Sequence, residues 1–316
     1  LQEQINLRMK KKLFIDKNIK RIGDFVDDHL SRTKNFDNGI PPISSVEISI
    51  NGACNRRCFF CPRVDKDKYP NILNSLDMKI FDNLLDDLNS VYFDGRVAFS
   101  GFCEPLLSKN LDEYIYKIKE KLPKPPVEKV SNGDPLLAKN GLERLRSLYK
   151  AGLDTIKISL YDGPHQIEFF EKIKKDLKLR DKQYIVRKRY LSANESYGIT
   201  ISNRAGSVNL KNEIFELKPL AEPLKQPCYY PFYKVLIDHD GDVLMCSNDW
   251  KKEKIMGNLS KDSILKIWSN QLFNIKRKKL CNSDRSENPC KVCDVEGIMN
   301  GKSAFKRWQE YFENES

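Results

Sequence analysis

The sequence predicts an α/β protein built on a parallel sheet, open or curled into a barrel, with a small domain appended at its end. Three features carry this expectation. Short apolar runs with strand character alternate with segments whose apolar residues recur at helical spacing. Polar, glycine-bearing stretches follow the strand-like runs, as they do at the carboxyl rim of parallel sheets, where ligand sites gather. Beyond Pro219 the texture changes: Pro219, Pro223, Pro227 and Pro231 punctuate the chain, and a hairpin pattern replaces the strand–helix alternation.

The elements follow in order. Residues 1–43 read as charged helical material ended by Pro41–Pro42. Val46, Ile48 and Ile50 alternate with polar residues, as in a half-buried strand. A helix is expected over Met78–Leu88, a strand over Val97–Ser100 and a helix over Leu111–Lys121. Val127–Ser131 and Thr155–Leu160 read as strands, each followed by a helix, Leu142–Ala151 and Ile167–Leu177. Ile185–Leu191 and Ile199–Ser202 complete the strand series in a unit of residues 44–218. In residues 219–300 the runs FYKVLI and DVLMC flank an Asp-Gly turn, and a helix is expected over Ile264–Lys279. This unit is too short for a large core, so a bound metal centre would help stabilise it. A last helix occupies residues 301–316.

With 40% hydrophobic and 31% charged residues among 316, the chain excludes a disordered polymer. No apolar run approaches the roughly eighteen residues of a membrane span, and the N-terminus lacks a signal peptide's apolar core. A soluble cytoplasmic protein is expected. The formal net charge is +11, with clusters at Lys10–Lys12, Arg187–Arg189 and Lys276–Lys279. A solvated surface accounts for most of this charge; the rest points to an anionic substrate, partner or surface. No nucleic-acid recognition motif accompanies it. His29, His165 and His239 read as surface residues.

The nine cysteines are more informative. In a reducing compartment they are thiols or metal ligands. Eight fall into two groups: Cys54, Cys58 and Cys61, then Cys228, Cys246, Cys281, Cys290 and Cys293. The first group is spaced C-x3-C-x2-C in the segment after the first strand. Three thiolates in one loop suit three irons of a cubane and leave the fourth iron free for a substrate or cofactor. Zinc is the alternative, but its structural sites take four protein ligands, and no further Cys or His lies nearby.

This triad, with Phe60 before its last cysteine, resembles the signature of the radical S-adenosylmethionine (SAM) superfamily. The resemblance implies a partial (β/α)6 barrel similar to a TIM barrel, and further motifs occur in the right order. Ser100-Gly101-Phe102-Cys103-Glu104-Pro105 resembles the Gly-Glu motif after the second strand, placing Gly101 and Glu104 at SAM, with Glu104 accepting from the methionyl amino group. Cys103 stands where the family carries Gly. Asn132, in Ser131-Asn132-Gly133, matches the polar turn after strand three. Ser159 matches the strand-four end that meets the ribose and methionine carboxylate. Asn203-Arg204-Ala205-Gly206 is similar to a motif of members that carry a second cluster. The implied chemistry is one-electron cleavage of SAM to methionine and a 5′-deoxyadenosyl radical, which takes a substrate hydrogen atom; a reducing partner such as flavodoxin or ferredoxin supplies the electron.

The distal cysteines resemble the SPASM/twitch type of C-terminal extension. The match implies that Cys228, Cys246, Cys290 and Cys293 hold an auxiliary 4Fe–4S cluster, so that the chain binds two clusters and SAM. Cys281 stands as an alternative ligand, and a zinc knuckle as an alternative site. No cysteine follows Cys293, which fits the one-cluster form. An auxiliary cluster suits a two-electron oxidation of a small, sugar-like or anionic substrate. Arg187, Arg189, Tyr190 and Arg204 lie where the last barrel strands should end, as candidates for gripping an anionic group or assisting proton transfer. Two rival readings are a peptide-modifying maturase, for whose separate peptide-binding domain the 43-residue leader looks short, and a non-catalytic iron–sulfur or zinc scaffold.

Overall fold

A computed structural model of the chain describes residues 17–190, 201–211 and 216–314. Helix α1 (Lys17–Arg32) precedes β1 (Ser45–Ile48), and β2 (Asn51–Gly52) pairs antiparallel with β3 (Ile72–Ser75) around the first cysteine loop. There follow α2 (Met78–Ser90), β4 (Arg96–Phe99), α3 (Leu111–Lys121), β5 (Val127–Ser131), α4 (Gly141–Lys150), β6 (Thr155–Leu160), α5 (Ile167–Asp176) and β7 (Tyr184–Lys188). A short ribbon, β8 (Leu210–Lys211) with β9 (Glu216–Leu217), leads to α6 (Tyr230–Tyr233), β10 (Lys234–Ile237), β11 (Asp242–Leu244) and β12 (Ile255–Asn258). Helices α7 (Ile264–Trp268), α8 (Gln271–Cys281) and α9 (Lys302–Asn314) end the chain.

The expected α/β class holds. Strands β1, β4, β5, β6 and β7 pair in parallel in that order. Strand β10 then pairs in parallel with the other side of β1, setting Ser45 opposite Lys234 and Ile48 opposite Ile237. Because β11 and β12 extend it antiparallel, one eight-stranded sheet runs through both parts of the chain. Among the described residues no pairing joins its two edges, so the wall stays open.

Each strand alternates between two faces. Val46, Ile48, Val97, Phe99, Ile156 and Ile158 join one core with Phe81, Leu84, Leu85 and Leu88 of α2 and with the apolar stripes of α3, α4 and α5. The i, i+3, i+4, i+7 spacing on α2 makes that stripe, and Asp77 caps the helix by accepting from the backbone N–H of Lys79 and Ile80.

The opposite face is charged. Glu128, 1% exposed, pairs with Lys157 (2.6 Å), Arg96 (2.9 Å) and Arg21 of α1 (2.6 Å). In the same row of that face Glu47 lies 3.6 Å from Lys234. Burial alone would raise the Glu128 carboxyl pKa; Lys157, Arg96 and Arg21 outweigh it and hold it well below the ordinary range. The stability it contributes is therefore present above the ordinary carboxylate pKa and is lost as pH falls through the depressed one.

Several sequence expectations need correction. The helix expected over Ile264–Lys279 is two helices, because the Asn270 side chain accepts from Phe273 N (2.8 Å) and starts a new one. The cluster Lys276–Lys279 is not simply solvated: Arg277 is fully buried, 3.8–3.9 Å from the ring centroids of Trp268, Phe273 and Trp308, and donates to Pro231 O and Trp268 O. Arg189 is also buried. His29 is buried rather than a surface residue, with Nδ1 3.0 Å from Ser44 Oγ and Nε2 3.0 Å from Asp94. Of the expected strand Ile199–Ser202, Ile199 and Thr200 lie outside the described residues, and Ile201 and Ser202 are in no strand. Lys10–Lys12 and Leu191 also lie outside them. No described helix is long and apolar enough to cross a membrane.

The charge network supplies a test. Glu128→Gln leaves the buried Lys157 and Arg96 and the half-exposed Arg21 facing a neutral amide, and is expected to cost about 3–5 kcal/mol in urea unfolding at neutral pH. A change below about 1 kcal/mol would mean that the cations relax without their carboxylate.

Candidate active site

The first cysteine loop is held by side chains rather than by regular structure. Cys54 N donates to Asn71 Oδ1 (3.1 Å) and Asn71 Nδ2 donates to Cys54 O (3.0 Å), while Cys61 N donates to Cys58 O (2.9 Å). Arg63, 6% exposed, donates to Phe102 O (2.7 Å), Gly52 O (2.7 Å) and Pro70 O (3.0 Å), so one guanidinium ties the loop to the turns around it. Arg56 reaches across the rim to two carboxylates, with 2.6 Å contacts to both oxygens of Asp134 after β5 and contacts of 2.7 and 2.6 Å to Asp162 after β6. Phe60 is buried and packs 5.3 Å, centroid to centroid, from Tyr161.

Next to this loop stands Glu104, 2% exposed. Its Oε1 accepts from Leu106 N (3.0 Å) and Ser131 Oγ (2.9 Å), and its Oε2 accepts from Asn132 N (2.7 Å). A carboxylate has about four acceptor positions, so this geometry leaves about one for an outside donor. Asn132 also donates from Nδ2 to Asn55 Oδ1 (2.9 Å) and lies 3.7 Å from Cys54 Sγ, tying the turn after β5 to the cysteine loop. Gly101, at φ +87°, is where a side chain cannot sit: a Cβ would lie 2.8 Å from Leu236. Cys103 fits as packing, its Sγ 3.6 Å from Ser100 O, and burial pushes its pKa up to about 11. Ser159, fully buried at the end of β6, accepts from Arg187 Nη2 (2.6 Å) on β7. Tyr190 is buried just beyond β7.

The second group gathers beneath the β10–β11 hairpin. Burial raises the Cys290 thiol, and Cys228, Cys246 and Cys293 all add to the effect; burial and the same neighbours push Cys293 up to about 12. Cys281, at the end of α8, has no such coupling. Burial and Arg277 alone set its pKa, at about 11. The structure thus brings four of the five distal cysteines together and leaves Cys281 apart. Asn248 donates to Cys246 Sγ from N (3.4 Å) and Nδ2 (3.5 Å), and Gly297 packs so closely on Cys228 that a Cβ would lie 2.2 Å from its Sγ.

Arg204 lies between the groups. Its Nη1 donates to Asn248 Oδ1 (3.1 Å), beside Cys246, while its charge acts on the Cys61 thiol. Asn203 clamps the same loop to the distal C-x2-C, with N donating to Asp294 Oδ1 (2.9 Å) and Nδ2 to Val292 O (2.7 Å). Sequence reasoning missed Arg56, Arg63 and Lys234, since nothing in the chain's pattern distinguishes a buried arginine or lysine from a solvated one.

The donor sets fit clusters better than single ions. With zinc–sulfur bonds of about 2.3 Å, two ligands of one ion lie within about 4.6 Å of each other. Among the described residues, the three-donor set that converges within 4.8 Å is Asp238, His239 and Asp240, and no cysteine triad does so. A cubane, whose thiolates bind separate irons, holds its ligands farther apart. The aspartate set is already served by Lys252, which pairs with Asp238, Asp240 and Asp242. Burial pushes Cys58 up to about 12 and raises Cys54 and Cys61, so metal loading must displace protons from these thiols.

Comparison with known proteins agrees with this geometry. Residues 48–193 match the radical SAM superfamily, and residues 228–294 match SPASM, an iron–sulfur cluster-binding domain. The S-adenosyl-L-methionine-dependent 2-deoxy-scyllo-inosamine dehydrogenase of Niallia circulans is 30% identical over 253 residues, covering 79% of this chain and 92% of that protein. The solved structure of BtrN in complex with AdoMet and 2-DOIA is similar at TM-score 0.66 and 25% identity, over 83% of this chain and 96% of that one. An open conformation of BtrN is similar at TM-score 0.57 and 24% identity, over 81% and 97% of the two chains. The chain belongs to the radical SAM superfamily: it is an enzyme with a SPASM-type iron–sulfur domain, and SAM and two 4Fe–4S clusters are its cofactors.

Proposed function

We propose that the chain is a dehydrogenase that oxidises a hydroxyl-bearing carbon of a small, sugar-like, anionic substrate held between its two cysteine groups. The observation that carries this reading is the position of Arg204, hydrogen-bonded beside Cys246 and electrostatically coupled to Cys61. The dehydrogenase activity named for the Niallia circulans relative supports it. Cys54, Cys58 and Cys61 hold the SAM-binding cluster, and Cys228, Cys246, Cys290 and Cys293 the auxiliary one. The units run as residues 44–218 and 219–300, flanked by 1–43 and by the helix of 301–316. The reaction proceeds in the cytoplasm, with flavodoxin or ferredoxin as the electron donor.

A cluster held by Cys54, Cys58 and Cys61 would supply the electron that cleaves SAM to methionine and a 5′-deoxyadenosyl radical, and one held by Cys228, Cys246, Cys290 and Cys293 would accept an electron from the substrate after its hydrogen atom is lost. The chain's own residues bind, orient and move a proton. Glu104 takes the SAM ammonium at its remaining acceptor position. Asn132 and Gly101 keep the adjoining turns close enough for that contact. Ser159, oriented by Arg187 Nη2, would meet the polar end of SAM. Phe60 and Tyr161 close the apolar side, restricting water near the radical. Arg187, Tyr190 and Arg204 grip the substrate's anionic and hydroxyl groups, and the two guanidiniums stay protonated and favour loss of the hydroxyl proton to solvent by stabilising the negative charge it leaves.

Three measurements test the reading. The reconstituted chain is expected to carry about eight irons, falling to about four when Cys54, Cys58 and Cys61 become Ala. The same triple variant should form no 5′-deoxyadenosine in anaerobic incubation with SAM and dithionite. Glu104→Gln is expected to weaken SAM binding about 10- to 100-fold at unchanged iron content, because a charge-assisted bond is lost. Cys281→Ser should leave about eight irons. A fall to four would place Cys281 among the ligands.

A further inference from the structure

Lys234 opens β10 and lies on the charged face of the sheet, with its side chain 13% exposed. Three contacts fix its ammonium: Glu47 on β1 at 3.6 Å, Ser247 Oγ at 3.3 Å and the face of Tyr230, whose ring centroid is 4.4 Å away. Ser247 follows Cys246 in the chain, and Tyr230 lies two residues beyond Cys228. Lys234 is the cation acting most strongly on the Cys246 thiol, and it acts on Cys228 as well. Glu47, the counter-charge, also accepts from Ser100 Oγ, in the turn that leads to Glu104. A buried, fixed positive charge thus stands beside two of the four distal cysteines, with its carboxylate on the side of the SAM turn.

We propose that Lys234 sets the reduction potential of the auxiliary cluster, raising it so that the centre accepts the substrate's electron, and that Glu47 moderates the effect. The inference rests on the assignment of Cys228 and Cys246 as ligands of that cluster. A 4Fe–4S centre becomes more negative on reduction, so a nearby cation stabilises the reduced form more than the oxidised form. Burial keeps the interaction strong, since water screens little of it there. Lys234 is a positioning residue in this account: it touches neither substrate nor the transferred hydrogen.

The test is a reduction titration of the anaerobically reconstituted full chain, followed by electron paramagnetic resonance. Added SAM marks the SAM-binding cluster by changing its signal. Lys234→Gln is expected to favour the oxidised auxiliary cluster about tenfold at a fixed potential, a negative midpoint shift of about 59 mV for one electron. Lys234→Arg should keep the midpoint near that of the parent. Glu47→Gln removes the moderating charge and should shift the midpoint in the positive direction. The SAM-responsive signal should stay in place in all three variants.

Two full clusters with an auxiliary midpoint unmoved in Lys234→Gln and Glu47→Gln would overturn the role of Lys234 and leave the ligand assignment standing. A parent protein with about four irons and a single, SAM-responsive signal would overturn the assignment itself, and the inference with it. Should Lys234→Gln fail to fold, the opposite shift in Glu47→Gln still decides the matter.

Discussion

The parallel pairing of β10 with β1 is the constraint on which the rest of the molecule depends. Strand β1 delivers the chain into the first cysteine loop, and β10 turns through the Asp238–Gly241 hairpin into Cys246. Strand β11 then runs back antiparallel, setting Leu244 opposite Leu236 and bringing Cys246 and Ser247 beside Lys234, so one sheet carries both cysteine groups. The shared sheet also explains why a C-terminal segment too short for a large core can be ordered. Its first strand has the main sheet as a neighbour, and α9 braces it from beneath: Trp308 Nε1 donates to Phe232 O (3.1 Å), and Arg307 reaches Leu30 O and Thr33 O on the N-terminal side.

A wall built this way has one apolar face and one charged face, and the charged face needs internal compensation. Glu128 gathers Lys157, Arg96 and Arg21, and Glu47 takes Lys234, so each carboxylate is matched or exceeded by cations. The network around Glu128, on β4, β5 and β6, is closed over by α1 through Arg21. The Glu47–Lys234 pair lies in the same row on the neighbouring strands β1 and β10, and adjoins Cys246 through Ser247. Position across the same face therefore separates a charge cluster at α1 from one beside the distal cysteines.

Much of this was legible in the sequence because it rests on local spacing. The triad Cys54, Cys58 and Cys61, the turn at Glu104 and the hairpin at Gly241 are each written within a few residues. The strands Val127–Ser131 and Thr155–Leu160 and the helix Leu111–Lys121 have the expected bounds, since their apolar periodicity matches their burial. What the sequence did not disclose involves partners distant along the chain. The neighbour of β1 is nearly 190 residues away, and no pattern in Lys234–Ile237 distinguishes a strand that joins the main sheet from one in a separate domain. His29 looks like a surface residue on a charged helix until Ser44 and Asp94 meet it. The break at Asn270 was written locally, as a residue that caps helices well, but the apolar residues on either side of it keep helical spacing and mask it.

The two cysteine groups are secured by the same device in different settings. Arg63 and Arg285 are both buried guanidiniums that gather backbone carbonyls around cysteine-bearing segments. Arg63 takes those of Gly52, Pro70 and Phe102, and Arg285 those of Gln226, Pro227, Val295 and Glu296, on either side of Cys228 and Cys293. A guanidinium suits this task because its donors lie in a fixed plane and it stays charged, so each carbonyl gains a charge-assisted bond without a second acidic group nearby. Carboxylates there would repel the thiolates that a cluster requires. The settings differ in what surrounds the staple. At the first loop the remaining ties, Arg56 and Asn71, are polar and partly exposed, as suits a site that admits SAM. At the second, Gly297 packs against Cys228, which is buried together with Cys293, while Cys246 and Cys290 are half-buried. Two similar arginines thus hold both cysteine-bearing segments by their backbone carbonyls, and the packing around them differs.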